Sequence, residues 1–209
     1  LAISSRMTSQ IEGLNQAVRN ANDAISMIQT ADGAAIEITN MLQRMRELAI
    51  QAASQTMGTS DVAALEVEFA GLLAQVDDIA SDTQWNGTNL LDGTVGDYGK
   101  VVFQVGANAS QTVDINFGDW NTAAANQAWS TGSAAFDVLT RVMTNDNVND
   151  ASIISNLDLV IEGVNVKRSE FGAVINRLEY AADNLANVSQ NTSASRSRIL
   201  DADYAAETT

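Results

Sequence analysis

The chain contains no cysteine, no proline and no histidine in 209 residues. Without cysteine it forms neither a disulfide nor a thiolate metal site, which fits the cytosol and equally a secreted protein that needs no cross-links. Without histidine as well, nucleophilic triads of the Ser-His-Asp or Cys-His kind cannot form, and the zinc-peptidase motif built on two histidines is excluded. Proline averages about 5% of protein sequences. Because it breaks helix interiors, its absence fits long unbroken helices. Aromatic residues make up 5% of a chain that is 45% hydrophobic, so the core must be built of Leu, Ile, Val, Met and Ala, which suits helices packed at close distance. Basic residues are scarce too, 11 against 26 acidic for a net charge of −15. That balance argues against nucleic acid, whose phosphates demand a basic stripe, and against an anionic membrane surface. Solubility is the plainer reading of the charge. No apolar run approaches the roughly 20 residues of a membrane span, and no signal-peptide pattern is visible at the start.

What is present is helical periodicity. Met7, Ile11, Leu14, Val18, Ala21, Ile25 and Ile28 alternate steps of four and three, which places them in one stripe of a helix. Asp32-Gly33 interrupts the register, and the stripe resumes through Ala35, Ile38, Leu42, Met45 and Ala49. One interior glycine costs about 1 kcal/mol against alanine and need not end a helix, so the pattern predicts a helix to about Gln55, with a bend possible at Gly33. Residues 54–60 read as a loop, with Ser60 or Asp61 capping a second helix through Val62, Leu65, Phe69, Leu72, Val76 and Ile79. The two helices are expected to run antiparallel.

From Thr83 the pattern breaks. Gly87, Gly93, Gly96 and Gly99 punctuate turns. Val101, Phe103 and Val105 alternate, as do Val113, Ile115 and Phe117, which predicts a β-hairpin over about 101–117 with one buried face. The stretch 119–149 is rich in Ala, Asn and Thr and carries the weakest pattern, with a short helical piece at Phe136, Leu139 and Val142. The last helix, from about Ser152 to Ala205, is the longest, on the order of 80 Å at 1.5 Å per residue. Leu157, Val164, Phe171, Leu178, Leu185, Thr192 and Ile199 recur every seventh position, with Ile154, Ile161, Ile175 and Ala182 in the companion position. A heptad seam implies helix-to-helix packing. The expected fold is therefore mainly α: an elongated antiparallel bundle of long helices, two from the N-terminal half and one from the C-terminal half, with a flanking hairpin and a small insert. Residues 1–118 and 150–209 would form the rod and 119–149 the insert.

Several separated segments resemble the bacterial flagellins. Gln43-Arg44-Met45-Arg46-Glu47-Leu48-Ala49-Ile50-Gln51 is similar to that family's N-terminal signature helix. Residues 1–7, Trp85-Asn86-Gly87-Thr88-Asn89-Leu90-Leu91 and the hairpin segment Gln104-Val105-Gly106-Ala107-Asn108 resemble further flagellin segments. Residues 168–177 and 195–205 resemble the family's C-terminal conserved part. The resemblance covers most of the chain, with its motifs in the right order. It implies the rod domain of a structural subunit of the flagellar filament, extracellular, supporting motility, with other flagellin subunits as partners and no cofactor. It also implies that the family's export and polymerisation segments would precede Leu1 and follow Thr209, so that the two ends, which start and stop mid-pattern, read as cuts in a longer rod. Export would follow the flagellar route rather than a cleaved signal peptide.

The resemblance further implies a contact face. Some flagellins are sensed by the host Toll-like receptor 5 through this helix pair, and the matching positions are Glu37, Arg44, Leu48, Gln51 and Glu68. Arg44 beside an exposed Leu48, one turn apart, would anchor a partner. The same face could serve only to pack against neighbouring subunits. Where well-recognised members carry Arg one turn after Glu68, this chain has Leu72, which would weaken receptor contact. Two other identities stay open: the related hook–filament junction protein, and a cell-surface flagellin homologue that binds polysaccharide by stacking sugars on Trp120 and Trp129. The run Asn145–Asp150 is rich in oxygen ligands but lacks the glycine and terminal glutamate of a calcium loop, so a solvated loop is the expectation and no metal or catalytic site is assigned. Asp77-Asp78 reads as a solvated helix face. The glycosylation sequons at Asn86, Asn108, Asn187 and Asn191 are formal matches only.

Overall fold

A computed structural model describes residues 2–54, 56–121 and 151–207. The elements in chain order are α1 (Ala2–Ala53), α2 (Thr59–Asp82), β1 (Gln84–Trp85), β2 (Thr88–Asn89), β3 (Lys100–Gln104), β4 (Thr112–Asn116) and α3 (Ala151–Glu207). The mainly α class, the three helices and the hairpin agree with the periodicities. The weak helical pattern at 136–142, Trp129 and the Asn145–Asp150 run lie outside the described residues. Two compact units are formed, the first from Leu1–Ile28, Val102–Asp114 and Gly172–Thr209, the second from Gln29–Val101 and Ile115–Phe171.

In the first unit, α1 buries Leu14, Ala17, Ala21 and Ala24, a seam of mostly small side chains that lets a partner helix approach closely. That partner is α3. Arg196 Nη1 donates to Thr8 Oγ1 at 3.0 Å and Ser189 Oγ bonds Asn15 Oδ1 at 2.7 Å. The numbers rise along α1 as they fall along α3, so the helices are antiparallel. The seam is polar here, with Ser4 and Ser189 buried and Ile199 39% exposed. The hairpin docks on α1 at Gly13, where an added Cβ would stand 3.3 Å from Ala107 Cβ, and Asn20 Nδ2 donates to the Gln104 carbonyl.

The second unit holds the larger side chains. Ala35, Ile38, Leu42, Met45, Ala49 and Ala52 of α1 are buried at alternating steps of three and four, and Gly33 sits exposed within the unbroken helix. Arg168 Nε donates to Asp32 Oδ1 at 2.8 Å and Arg46 pairs with Asp158, again an antiparallel order. The seam of α3 differs from expectation in this unit. Ile153, Val160 and Lys167 accompany Leu157, Val164 and Phe171 in the interior, whereas Ile154 and Ile161 are half-buried. In this unit α3 meets α1 through the Asp32 and Asp158 ion pairs and meets the segment after β4 through a tilted Phe117–Phe171 ring contact at 5.8 Å.

The start of α2 also departs from expectation. Its N-cap is Gly58, not Ser60 or Asp61. Asp61 instead stands one turn in, where its carboxylate accepts the Gly58 N–H at 3.2 Å and complements the positive helix end. At the other end, the Thr83 N–H and hydroxyl both donate to the Ile79 carbonyl. β1 and β2 then form a hairpin closed by two residues, with Trp85 opposite Thr88. Asn86 and Gly87 both take positive φ, 50° and 77°, the backbone a primed two-residue turn requires. Leu90 and Leu91, wholly buried, carry the chain back into the core, and Trp120 N–H donates to the Leu91 carbonyl.

Candidate functional face on the first two helices

The candidate contact residues lie in the second unit, four of them on α1 and one on α2. Glu37, Arg44 and Gln51 are two turns apart in succession, which puts them on one face, and all three are exposed. Arg44 and Glu68 stand equally far from the loop that joins α1 to α2, so an antiparallel helical hairpin brings them together. Arg44 Nε and Nη2 both donate to Glu68 Oε1, at 2.9 and 2.7 Å, and Nη1 donates to Glu47 Oε2 at 3.1 Å. The bond to Glu68 first, and that to Glu47 second, raise the Arg44 pKa above its already high value, so the guanidinium stays charged. The group is open to water, where solvent screening leaves an ion pair little net stabilising effect.

Leu48 does not join this face. It is 0% exposed, which corrects the expectation of an apolar anchor beside Arg44. Successive residues turn about 100° along a helix, so Leu48 is rotated about 40° from Arg44, toward the core, whereas Gln51 stays nearly in line with it. Leu72, one turn beyond Glu68, is half-buried.

Trp120 is likewise unavailable as a sugar platform. It is wholly buried, and its indole N–H donates to the Phe117 carbonyl at 2.6 Å. The Asp77-Asp78 pair lies on α2 with Asp78 exposed. All four sequon asparagines are exposed.

One carboxylate pair had no sequence signal. Asp92 and Asp119 face each other in an isolated antiparallel bridge. Burial raises the Asp119 pKa, and the Asp92 charge adds to it against opposing hydrogen bonds from Asn121. Burial also acts to raise Asp92, but the Thr94 hydroxyl, the Thr94 N–H and the Asn89 amide outweigh it, and the net shift is downward. The pair ties the segment after β4 to the turn after β2. Among the described residues no group of three or more His, Cys, Asp or Glu side chains is placed to hold a metal, and no helix is long and apolar enough to cross a membrane.

The described residues form a helical scaffold whose long first and last helices carry the packing, with an exposed polar face on α1 and α2. Comparison with known proteins gives the family. Residues 1–95 match the bacterial flagellin N-terminal helical region, and residues 154–209 match the bacterial flagellin C-terminal helical region. A flagellin of Halalkalibacterium halodurans is 42% identical over 207 residues, covering 99% of this chain and 71% of that protein. A flagellin of Bacillus subtilis is 38% identical over 228 residues, covering 99% and 74% respectively. The crystal structure of Bacillus cereus flagellin superposes with a TM-score of 0.64 at 31% identity, covering 80% of this chain and 88% of that one. A Vibrio parahaemolyticus protein, provisionally described as flagellar hook-associated, shares the fold at 11% identity and a TM-score of 0.72. The chain belongs to the bacterial flagellin family, and it is a structural subunit of the extracellular flagellar filament.

Proposed function

We propose that this subunit assembles by repeating one set of unlike contacts between the exposed faces of its helices, which builds an open helical filament rather than a closed ring. The observation that supports this reading is an apolar outer face on α3. Leu159 and Val166, two turns apart, leave 47% and 49% of their surfaces exposed although the opposite side of the same helix is fully packed. Export by the flagellar route, without a cleaved signal peptide, completes the reading. In the full product of the gene, Val166→Asp is expected to leave the circular dichroism and melting temperature of the monomer unchanged while suppressing filament growth, as followed by light scattering. Normal growth of this variant would remove α3 from the contact surface.

A second reading is favoured by the exposure and alignment of Glu37, Arg44 and Gln51 beside Glu68: recognition of this face by Toll-like receptor 5. Leu72 in place of a cation makes the expected response weak. In the full product of the gene, Arg44→Ala and Glu68→Ala should each lower receptor activation in a cell reporter assay with little change in melting temperature. Unchanged signalling from both variants would leave this face to subunit packing alone. Polysaccharide binding has no support from Trp120.

A further inference from the structure

We propose that Asn86 is the protein's principal site of spontaneous covalent modification, a deamidation through a cyclic imide. Asn86-Gly87 is the single Asn-Gly pair in the sequence. Glycine offers no side chain to screen its amide nitrogen, both residues are exposed, and a Cβ added at Gly87 would meet nothing within 4 Å. Among the described residues no hydrogen bond holds the Asn86 side chain.

In the reaction the Gly87 backbone nitrogen attacks Asn86 Cγ. The bond from Cγ to the side-chain amide nitrogen breaks, and that nitrogen leaves as ammonia, carrying the proton given up by the Gly87 N–H. The imide then takes up one water. Cleavage at Cγ restores the ordinary backbone with aspartate at position 86, and cleavage at the main-chain carbonyl leaves isoaspartate, with the backbone running through Cγ. One amide and one water become one carboxylic acid and one ammonia, so no oxidant or cofactor is needed.

The structure separates this pair from the two Asp-Gly pairs that could form the same imide. The Asp32 carboxylate is held by Arg168 within α1. The Asp92 carboxylate accepts from Asn89 Nδ2 and from the N–H and hydroxyl of Thr94. Attack at Asn86 requires the tight turn to open, and the fold permits it. β1 and β2 are two residues each, too short to be stable alone, and the buried anchors Leu90 and Leu91 lie beyond them. The turn therefore opens locally without breaching the core. Isoaspartate lengthens a turn whose register depends on two residues, and either product adds negative charge to a chain already at −15.

The test is incubation of the native protein at mildly alkaline pH, followed by fragmentation mass spectrometry and an isoaspartyl methyltransferase assay. Asn86 should exchange its amide an order of magnitude faster than Asn187 or Asn191 of α3, giving two chromatographically distinct products, one of them a methyltransferase substrate. Gly87→Ala should slow the exchange in the native protein. It should also do so in denaturant, where strain from alanine at positive φ has no influence. The proposal is overturned if Asn86 keeps its amide in the native protein and loses it only in denaturant, or if the helical asparagines react as fast.

Discussion

Phe171→Ala is expected to destabilise the second unit by about 3–5 kcal/mol, the range for removing a buried aromatic ring from a core. Phe171 is 0% exposed and its ring meets Phe117, also 0% exposed, at 5.8 Å. In a chain with 5% aromatic residues, this contact is where α3 grips the segment that follows β4. Phe117 is fixed in turn by its N–H bond to the Gly99 carbonyl, and Gly99 must be glycine because a Cβ there would lie 2.7 Å from the Gly118 nitrogen. The cavity therefore has stiff walls that relax little, which favours the upper part of the range. Urea denaturation followed by circular dichroism measures the loss. A change below about 0.5 kcal/mol, the level of an ordinary surface substitution, would mean that the ring contact does not hold the unit together.

Leu48→Ala should cost about 2–5 kcal/mol for the same physical reason, and the result separates two accounts of the α1 face. If Leu48 were an exposed anchor, its removal would weaken recognition and leave stability alone. Because it is wholly buried, the loss of stability should come first, and any fall in receptor activation should track the unfolded fraction. Arg44→Ala should behave in the opposite way, since its ion pairs with Glu68 and Glu47 are exposed. Equal melting temperatures for Leu48→Ala and the parent protein would contradict the packing described here.

The long helices are legible because their apolar residues alternate steps of three and four on either side of Asp32-Gly33, no proline breaks the run, and the interior glycines are isolated. The hairpin of β3 and β4 was legible from its period of two. Three features were not, for identifiable reasons. Side-chain preference points to Ser60 or Asp61 as the cap of α2, but glycine also caps helices, and Asp61 serves from inside the first turn. The hairpin at 84–89 carries a strong turn signal in Asn86-Gly87, but its strands are too short to show alternation. Leu48 is buried although one turn from the exposed Arg44, because a four-residue step along a helix nearly, but not fully, preserves the face. A rotation of about 40° decides burial where a second helix packs close by. Of the candidate face, the polar members were readable from sequence similarity. The Arg44–Glu68 contact needed the fold, since the two residues come from different helices.

The exposed sequons illustrate a further limit of sequence reading. At Asn86 the same residues satisfy a formal glycosylation pattern, build a turn and present a reactive pair, and only the geometry separates these roles.

Negative-stain electron microscopy of the full product of the gene, purified as monomer and seeded for growth, tests the central claim most directly. A flagellin should yield long helical filaments of uniform diameter, with growth abolished in Val166→Asp. Persistently monomeric protein, or closed rings in place of open filaments, would contradict the assignment of this chain as a filament subunit that grows by repeated unlike contacts.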